Sequence, residues 1–386
     1  MSLRVAETIT LGGMTDLHVH ARDFGQAEKE DFETCTKAAL AGGVDTIGAM
    51  PNYEPKFVVR PYSLQNMRAL HARARGRIYS DVGMWAVAQP EFDNVGELEH
   101  MLPLSIGTKV YIEPTQGNDT HYDVLDFLPI ARRHHELEPN KLFAAHAEDD
   151  TIEDAIGYIA GDIGQRLYIP HVNNRFVLEA IMKAKGSGLP VFAEVGPHHL
   201  LMTEENVRLL GWFARMKPPL ATQEDQDFLW ANLKSIDTIG TDHAPHIRSE
   251  KIEAQRQNPE GLTGSEYKKC YGVPGLDTTL PLLLHEIIYG YRGQPRLTFN
   301  QLHRLTITNP RQLIGLSASS HASLTINTET YELMPQHVRS KCGWSPYEGW
   351  PVTGRVERVV RNGATLFENG TFAPPQGKVL QEAQSE

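Results

Sequence analysis

Asp16-Leu17-His18-Val19-His20 carries two imidazoles, one residue apart, at the end of a short apolar run. Along a β-strand, residues i and i+2 point to the same side. His18 and His20 can therefore hold one cation between them, and imidazole suits zinc and similar divalent metals. Four more residues sit at or just beyond the end of an apolar run. They are Lys109 in Gly107-Thr108-Lys109-Val110-Tyr111, His146, His171, and Asp242 in Thr241-Asp242-His243-Ala244-Pro245-His246. Taken together, His18 and His20 would hold one metal with Asp242 completing its shell, and His146 and His171 would hold a second. Two neighbouring cations need a bridging anion. Lys109 can supply it if carbon dioxide adds to its amine and gives a carbamate with two oxygens. A desolvated lysine beside metals has a depressed pKa and reacts more readily. A two-metal site lowers the pKa of a bridging water and polarises a carbonyl oxygen. Asp242 can take a proton from the attacking oxygen and return it to a leaving nitrogen. Metal-assisted hydrolysis of a C–N bond is the reaction class this set suits.

Such a set needs a scaffold that brings distant segments to one edge. Apolar runs at 15–20, 46–50, 81–86, 107–112, 143–146, 167–171, 191–194 and 236–241 read as strands. Amphipathic stretches at 31–41, 62–74, 124–134, 175–185 and 223–233 read as helices between them. This alternation predicts a parallel sheet, and eight such strands predict a closed (β/α)8 barrel. An open doubly wound sheet would advertise a glycine-rich phosphate turn, and none stands in a suitable context. A barrel carries its active site at the C-terminal ends of its strands, where all six residues fall. The barrel is expected over 14–310. Residues 1–13 and 311–386 are expected to form a small, reduced β-sandwich-like appendage and a tail, with strands at 322–326, 354–360 and 365–367.

The 37 basic and 48 acidic residues give a net charge of −11. That balance argues against nucleic acid or an anionic membrane as the main partner. It leaves an anionic small substrate open, because a few local cations can dominate one pocket. Cys35, Cys270 and Cys342 are too few and too scattered for a disulfide framework and fit a reducing cytoplasm. The opening Met1-Ser2-Leu3-Arg4-Val5 lacks the apolar core of a signal peptide, and no window reaches the roughly 20 apolar residues of a membrane span.

The ordered motifs resemble the amidohydrolase superfamily and, within it, the dihydroorotases, over about residues 12–375. The resemblance is carried by Asp16 to Asp23, Ala49-Met50-Pro51-Asn52, Ala145-His146-Ala147-Glu148, Glu194-Val195-Gly196-Pro197-His198-His199-Leu200, Thr241 to His246, Pro274-Gly275-Leu276-Asp277-Thr278 and Ser340 to Tyr347. It implies reversible hydrolysis of L-dihydroorotate to N-carbamoyl-L-aspartate in pyrimidine biosynthesis, at two divalent metals, zinc foremost. His18, His20, carboxylated Lys109 and Asp242 would surround the first metal, and Lys109, His146 and His171 the second. Asp242 would act as general base and then acid. Arg22, Asn52 and His246 would clamp the substrate carboxylate, for which an arginine fork is well shaped. Thr115, on the segment 113–120, would reach the substrate from a closing loop. Pro274 and Gly275 would touch its ring through backbone groups. A homodimer and assembly with aspartate transcarbamoylase are the implied partnerships. The alternatives are another cyclic amidase (hydantoinase, dihydropyrimidinase or allantoinase) and an inactive scaffold for aspartate transcarbamoylase. The chain departs from its relatives at Pro170, where some carry a cysteine that would serve a third metal together with the residue matching Glu194. It departs again at Gln116 and Lys217.

Overall fold

The eight apolar runs become eight parallel strands in the computed structural model, which describes residues 7–50, 62–92, 94–115, 120–262 and 269–381. Strand β1 (Thr8–Gly12) belongs to the appendage. The barrel strands are β2 (Met14–Val19), β3 (Val44–Ala49), β4 (Asp81–Val87), β5 (Gly107–Tyr111), β6 (Leu142–His146), β7 (Leu167–Ile169), β8 (Val191–Val195) and β9 (Thr238–Ile239). They pair in chain order from β2 to β9. Just past β9, His243 forms a parallel bridge to Val19 and another to Val273, so the first strand meets the last. Strands β2, β3, β5 and β6 are buried along their whole length. That is why they read as continuous apolar runs and not as alternating ones.

Capping side chains start the helices. Asp31 caps Phe32–Ala41, Ser63 caps Leu64–Ala74, Asn174 caps Arg175–Gly186 and Thr222 caps Gln223–Ala231. Each side-chain oxygen accepts an otherwise orphaned N–H of the first turn. The helix expected at 124–134 instead begins as a 3-10 turn, Val124–Phe127, and becomes α-helical at Leu128–Leu137. Pro129, which lacks an N–H, sits at that junction, where a missing donor costs least.

A cluster of Leu17, Trp85, Leu142, Ala144 and Tyr168 fills the barrel interior beneath the strand ends. A larger cluster lies between strands and helices. The β2–β3 register shifts between Asp16 and Val19. Strict alternation therefore fails around Leu17 and His18, as expected of a bulge that re-aims a side chain beside a site.

The appendage is one antiparallel sheet in the order β1, β10 (Ala322–Glu332), β11 (Pro351–Arg361), β12 (Ala364–Glu368) and β13 (Thr371–Phe372). Asn362-Gly363 and Asn369-Gly370 make its tight turns, all four residues with positive φ, as two-residue hairpin loops require. Gly354 is needed where β11 crosses the helix Thr279–Ile288, because a Cβ there would lie 2.6 Å from Leu284 Cδ1. Among the described residues, no helix is long and apolar enough to cross a membrane.

Candidate active site

The C-terminal edge of the barrel brings the six expected ligands together. His18 lies within β2, and His20 is one residue beyond it. Lys109 lies within β5, and His146 ends β6. His171 and Asp242 follow β7 and β9. Arg22, His171 and Asp242 have φ of 58°, 43° and 44°. Left-handed backbone at a non-glycine residue costs about 1–3 kcal/mol and persists only where the surroundings enforce it. Here the His171 amide donates to Glu194 Oε1 at 3.2 Å. Beside Asp242, the Thr241 amide and hydroxyl donate to Asp16 at 3.1 and 2.5 Å.

His18 Nε2 and His20 Nε2 each lie 3.2 Å from Asp242 Oδ1. These three residues offer ligand atoms all within 4.8 Å of one another, enough to hold a cation. His146 Nδ1 and His171 Nε2 face each other at 2.8 Å, and the His18 and His171 rings lie 5.3 Å apart. Lys109 is wholly buried, and its Nζ has no hydrogen-bond partner. Burial lowers its pKa to about 7, against the attraction of Asp242 and Glu194. A substantial part of the amine is thus uncharged at neutral pH. Burial lowers the His20 pKa to about 4 and holds His171 well below its ordinary value. Both stay neutral, as metal ligands must. Burial would raise the Asp242 carboxyl, but His18, the His20 contact and His198 outweigh it and hold the group well below the usual carboxylate range. Converging nitrogens, a buried carboxylate and an orphaned amine fit a divalent metal centre.

Two carboxylates outside the six expected ligands hold this set in place. Glu194, at the end of β8 and wholly buried, lies 2.8 Å from His18 Nδ1 and accepts from the Tyr168 hydroxyl at 2.6 Å. Asp16 accepts from the His18 amide at 3.0 Å, and burial raises its pKa to about 6. Glu194 carries the same signal as the histidines, a polar residue ending an apolar strand. A carboxylate on the far nitrogen of a ligating histidine fixes its tautomer and typically governs metal affinity 10–100-fold. Glu194→Gln is therefore expected to weaken metal binding by roughly that factor, read by competition with a chelator. Unchanged affinity would remove Glu194 from this role.

The residues expected around a substrate are placed unevenly. Arg22 is 5% exposed, and its Nε has no hydrogen-bond partner. Its charge is felt by, and feels, both Asp242 and Glu250. His246 is buried, with Nδ1 3.0 Å from Glu250 Oε2 and Nε2 2.9 Å from the Tyr271 carbonyl. Both its nitrogens already face the protein, and burial lowers its pKa to about 3. The Gly275 amide donates to His243 Nδ1 at 3.1 Å, and its carbonyl accepts from Thr279 N at 3.0 Å. Both its backbone groups thus have partners inside the protein. Pro274, without an N–H, offers its carbonyl alone. Thr115 is half-buried past β5. Asn52 and Gln116 lie outside the described residues.

No protein-family model matches the chain. Over 380 residues it is 33% identical to the multifunctional protein CAD of Squalus acanthias, covering 97% of this chain. The chain spans 16% of the length of the multifunctional relatives it matches. Over 399 residues it is 30% identical to a dihydroorotase of Lactiplantibacillus plantarum, covering 94% of this chain and 87% of that one. Among solved structures it resembles an L-hydantoinase (dihydropyrimidinase) from Arthrobacter aurescens, with a TM-score of 0.82. That likeness covers 96% of this chain and 88% of the other at 23% identity, a similarity of fold.

Proposed function

The chain belongs to the dihydroorotase family, and from that membership we propose that it catalyses the reversible hydrolysis of L-dihydroorotate to N-carbamoyl-L-aspartate in de novo pyrimidine biosynthesis. The main support is the convergence of His18, His20, Lys109, His146, His171 and Asp242 at one barrel edge, with the buried Arg22 beside them. His18, His20 and Asp242 would hold one divalent metal and His146 and His171 a second, with Lys109 carboxylated between them. Divalent metals held there, zinc in this proposal, would supply Lewis-acid polarisation of an amide carbonyl and a more acidic bound water.

The chain's own residues do the rest. The uncharged Lys109 amine adds to carbon dioxide through nitrogen and loses one proton to solvent, giving an anionic carbamate. The Asp242 carboxylate accepts the proton of the attacking oxygen and delivers it to the ring nitrogen as the C–N bond breaks. In the synthetic direction it runs the same transfers backwards. The Arg22 fork binds the substrate carboxylate, with Asn52 as a further donor, the buried His246 ring walling this end of the site, and Thr115 reaching in from the loop past β5. The Pro274 carbonyl faces the ring N–H. Cys35, Cys270 and Cys342 are all free thiols, which supports a reducing cytoplasm. Self-association as a homodimer and assembly with aspartate transcarbamoylase belong to the same proposal. The match to one segment of multifunctional proteins supports its place in a larger assembly.

The test is turnover of L-dihydroorotate by the zinc-loaded chain, with dihydrouracil, hydantoin and allantoin in parallel, repeated with Arg22→Met. Selective loss of dihydroorotate is expected. Arg22→Met should raise KM about tenfold or more and leave kcat nearly unchanged, because the clamp binds ground and transition states alike. Activity on the uncharged rings alone would make the chain another cyclic amidase. Bound metal without any turnover would make it an inactive scaffold.

A further inference from the structure

Behind the Arg22 end of the site stands a buried lysine that the chemistry above does not use. Lys251 lies in the helix Arg248–Gln257 and is wholly buried. Its Nζ donates to the Trp212 carbonyl at 2.9 Å and to the Cys270 carbonyl at 2.7 Å. The Trp344 ring centroid lies 5.4 Å from the same nitrogen, within reach of a cation–π contact. No ion pair holds Lys251 among the described residues. Burial lowers its pKa only to about 8, so the ammonium persists at pH 7.

The two carbonyls belong to separate segments, the turn Gly211–Ala214 and residues 269–275. The second segment also meets the edge of the site. Its Tyr271 carbonyl lies 2.9 Å from His246 Nε2. Val273 bridges His243, and the Gly275 amide donates to His243 Nδ1. From the other side, the Trp344 indole donates to the His246 carbonyl at 2.7 Å. An apolar side chain at 251 could fill the volume but would leave the buried Cys270 carbonyl without its donor and the Trp212 carbonyl with only the Arg215 amide at 3.4 Å, the costly case for a polar group.

We propose that Lys251 is a positioning residue for substrate-carboxylate recognition: it fixes residues 270–275, and through Tyr271 the His246 ring, at the Arg22 end of the site. This rests on the dihydroorotase reading above and extends it to a residue that touches no substrate.

The experiment uses K251M in the full, zinc-loaded chain, with kinetics, metal content and amide hydrogen exchange measured together. KM for L-dihydroorotate should rise about tenfold, the loss expected when charge-assisted hydrogen bonds that hold a binding wall are removed. Turnover at saturation and metal per chain should stay near the parent values, and exchange should quicken at residues 270–275. An unchanged KM in a folded K251M overturns the proposal, as does unchanged exchange. Should K251M fail to fold, W344F keeps the lysine but removes the indole N–H from the His246 carbonyl. It should raise KM in the same direction, and an unmoved KM there is equally fatal. A parent chain with no dihydroorotate turnover would instead refute the functional reading. The exchange of 270–275 in K251M then decides the positioning role by itself.

Discussion

Asp242→Asn is expected to cut turnover of L-dihydroorotate by about a thousandfold or more while leaving the barrel folded. General acid–base catalysis alone contributes roughly 10²–10⁴-fold, and asparagine can neither accept nor return the proton. The substitution conserves volume at a residue whose left-handed backbone asparagine also tolerates. The native carboxylate lies 3.2 Å from both His18 Nε2 and His20 Nε2. The amide therefore also weakens the seat for one metal, and metal content must be measured with the rate. Turnover within about tenfold of the parent at equal metal content would exclude Asp242 as the proton carrier.

The barrel was legible in the sequence because strands buried on both faces must be apolar throughout, and any polar residue ending such a strand stands out. His146 and Lys109 show this plainly, each set in a run of buried residues. What could not be read was which distant group each residue meets. His18 finds Glu194 across 176 positions, and Asp16 finds Thr241 across 225. Closure of the barrel, and not local pattern, creates both contacts. The pairing of β1 with β10 is equally non-local: Ile9 lies opposite Ile326. The same limit explains Gly275 and His246. The family resemblance implied substrate contacts for both. Their hydrogen bonds to His243, Glu250 and Tyr271 depend on how the segment past β9 packs against residues 269–275.

Lys109→Met should separate function from stability more sharply than any other single change in the site. Methionine nearly matches the lysine stem in length and needs no polar partner, whereas the native Nζ is buried without one. Burial depresses the lysine pKa from 10.5 to about 7, so folding must strip a proton that the unfolded chain keeps. Between those two values the unfolded state binds more protons. The linkage relation then makes the metal-free parent gain stability as pH rises from about 7 toward about 10. The Met variant lacks that gain. At pH 7 its metal-free form should melt above the parent, and the gap should narrow by pH 9. Turnover should meanwhile fall at least about a thousandfold, since no carbamate can form to bridge two metals. Retained metal should drop after dialysis, and bicarbonate, which should speed zinc reactivation of the parent, should have no effect. A Met variant that keeps two metals and full turnover would remove Lys109 from the centre. One that melts below the metal-free parent at pH 7 would mean that the amine has a partner in solution. The site would then stabilise the fold as well as serve the reaction, the opposite of the usual trade between a working site and a stable one.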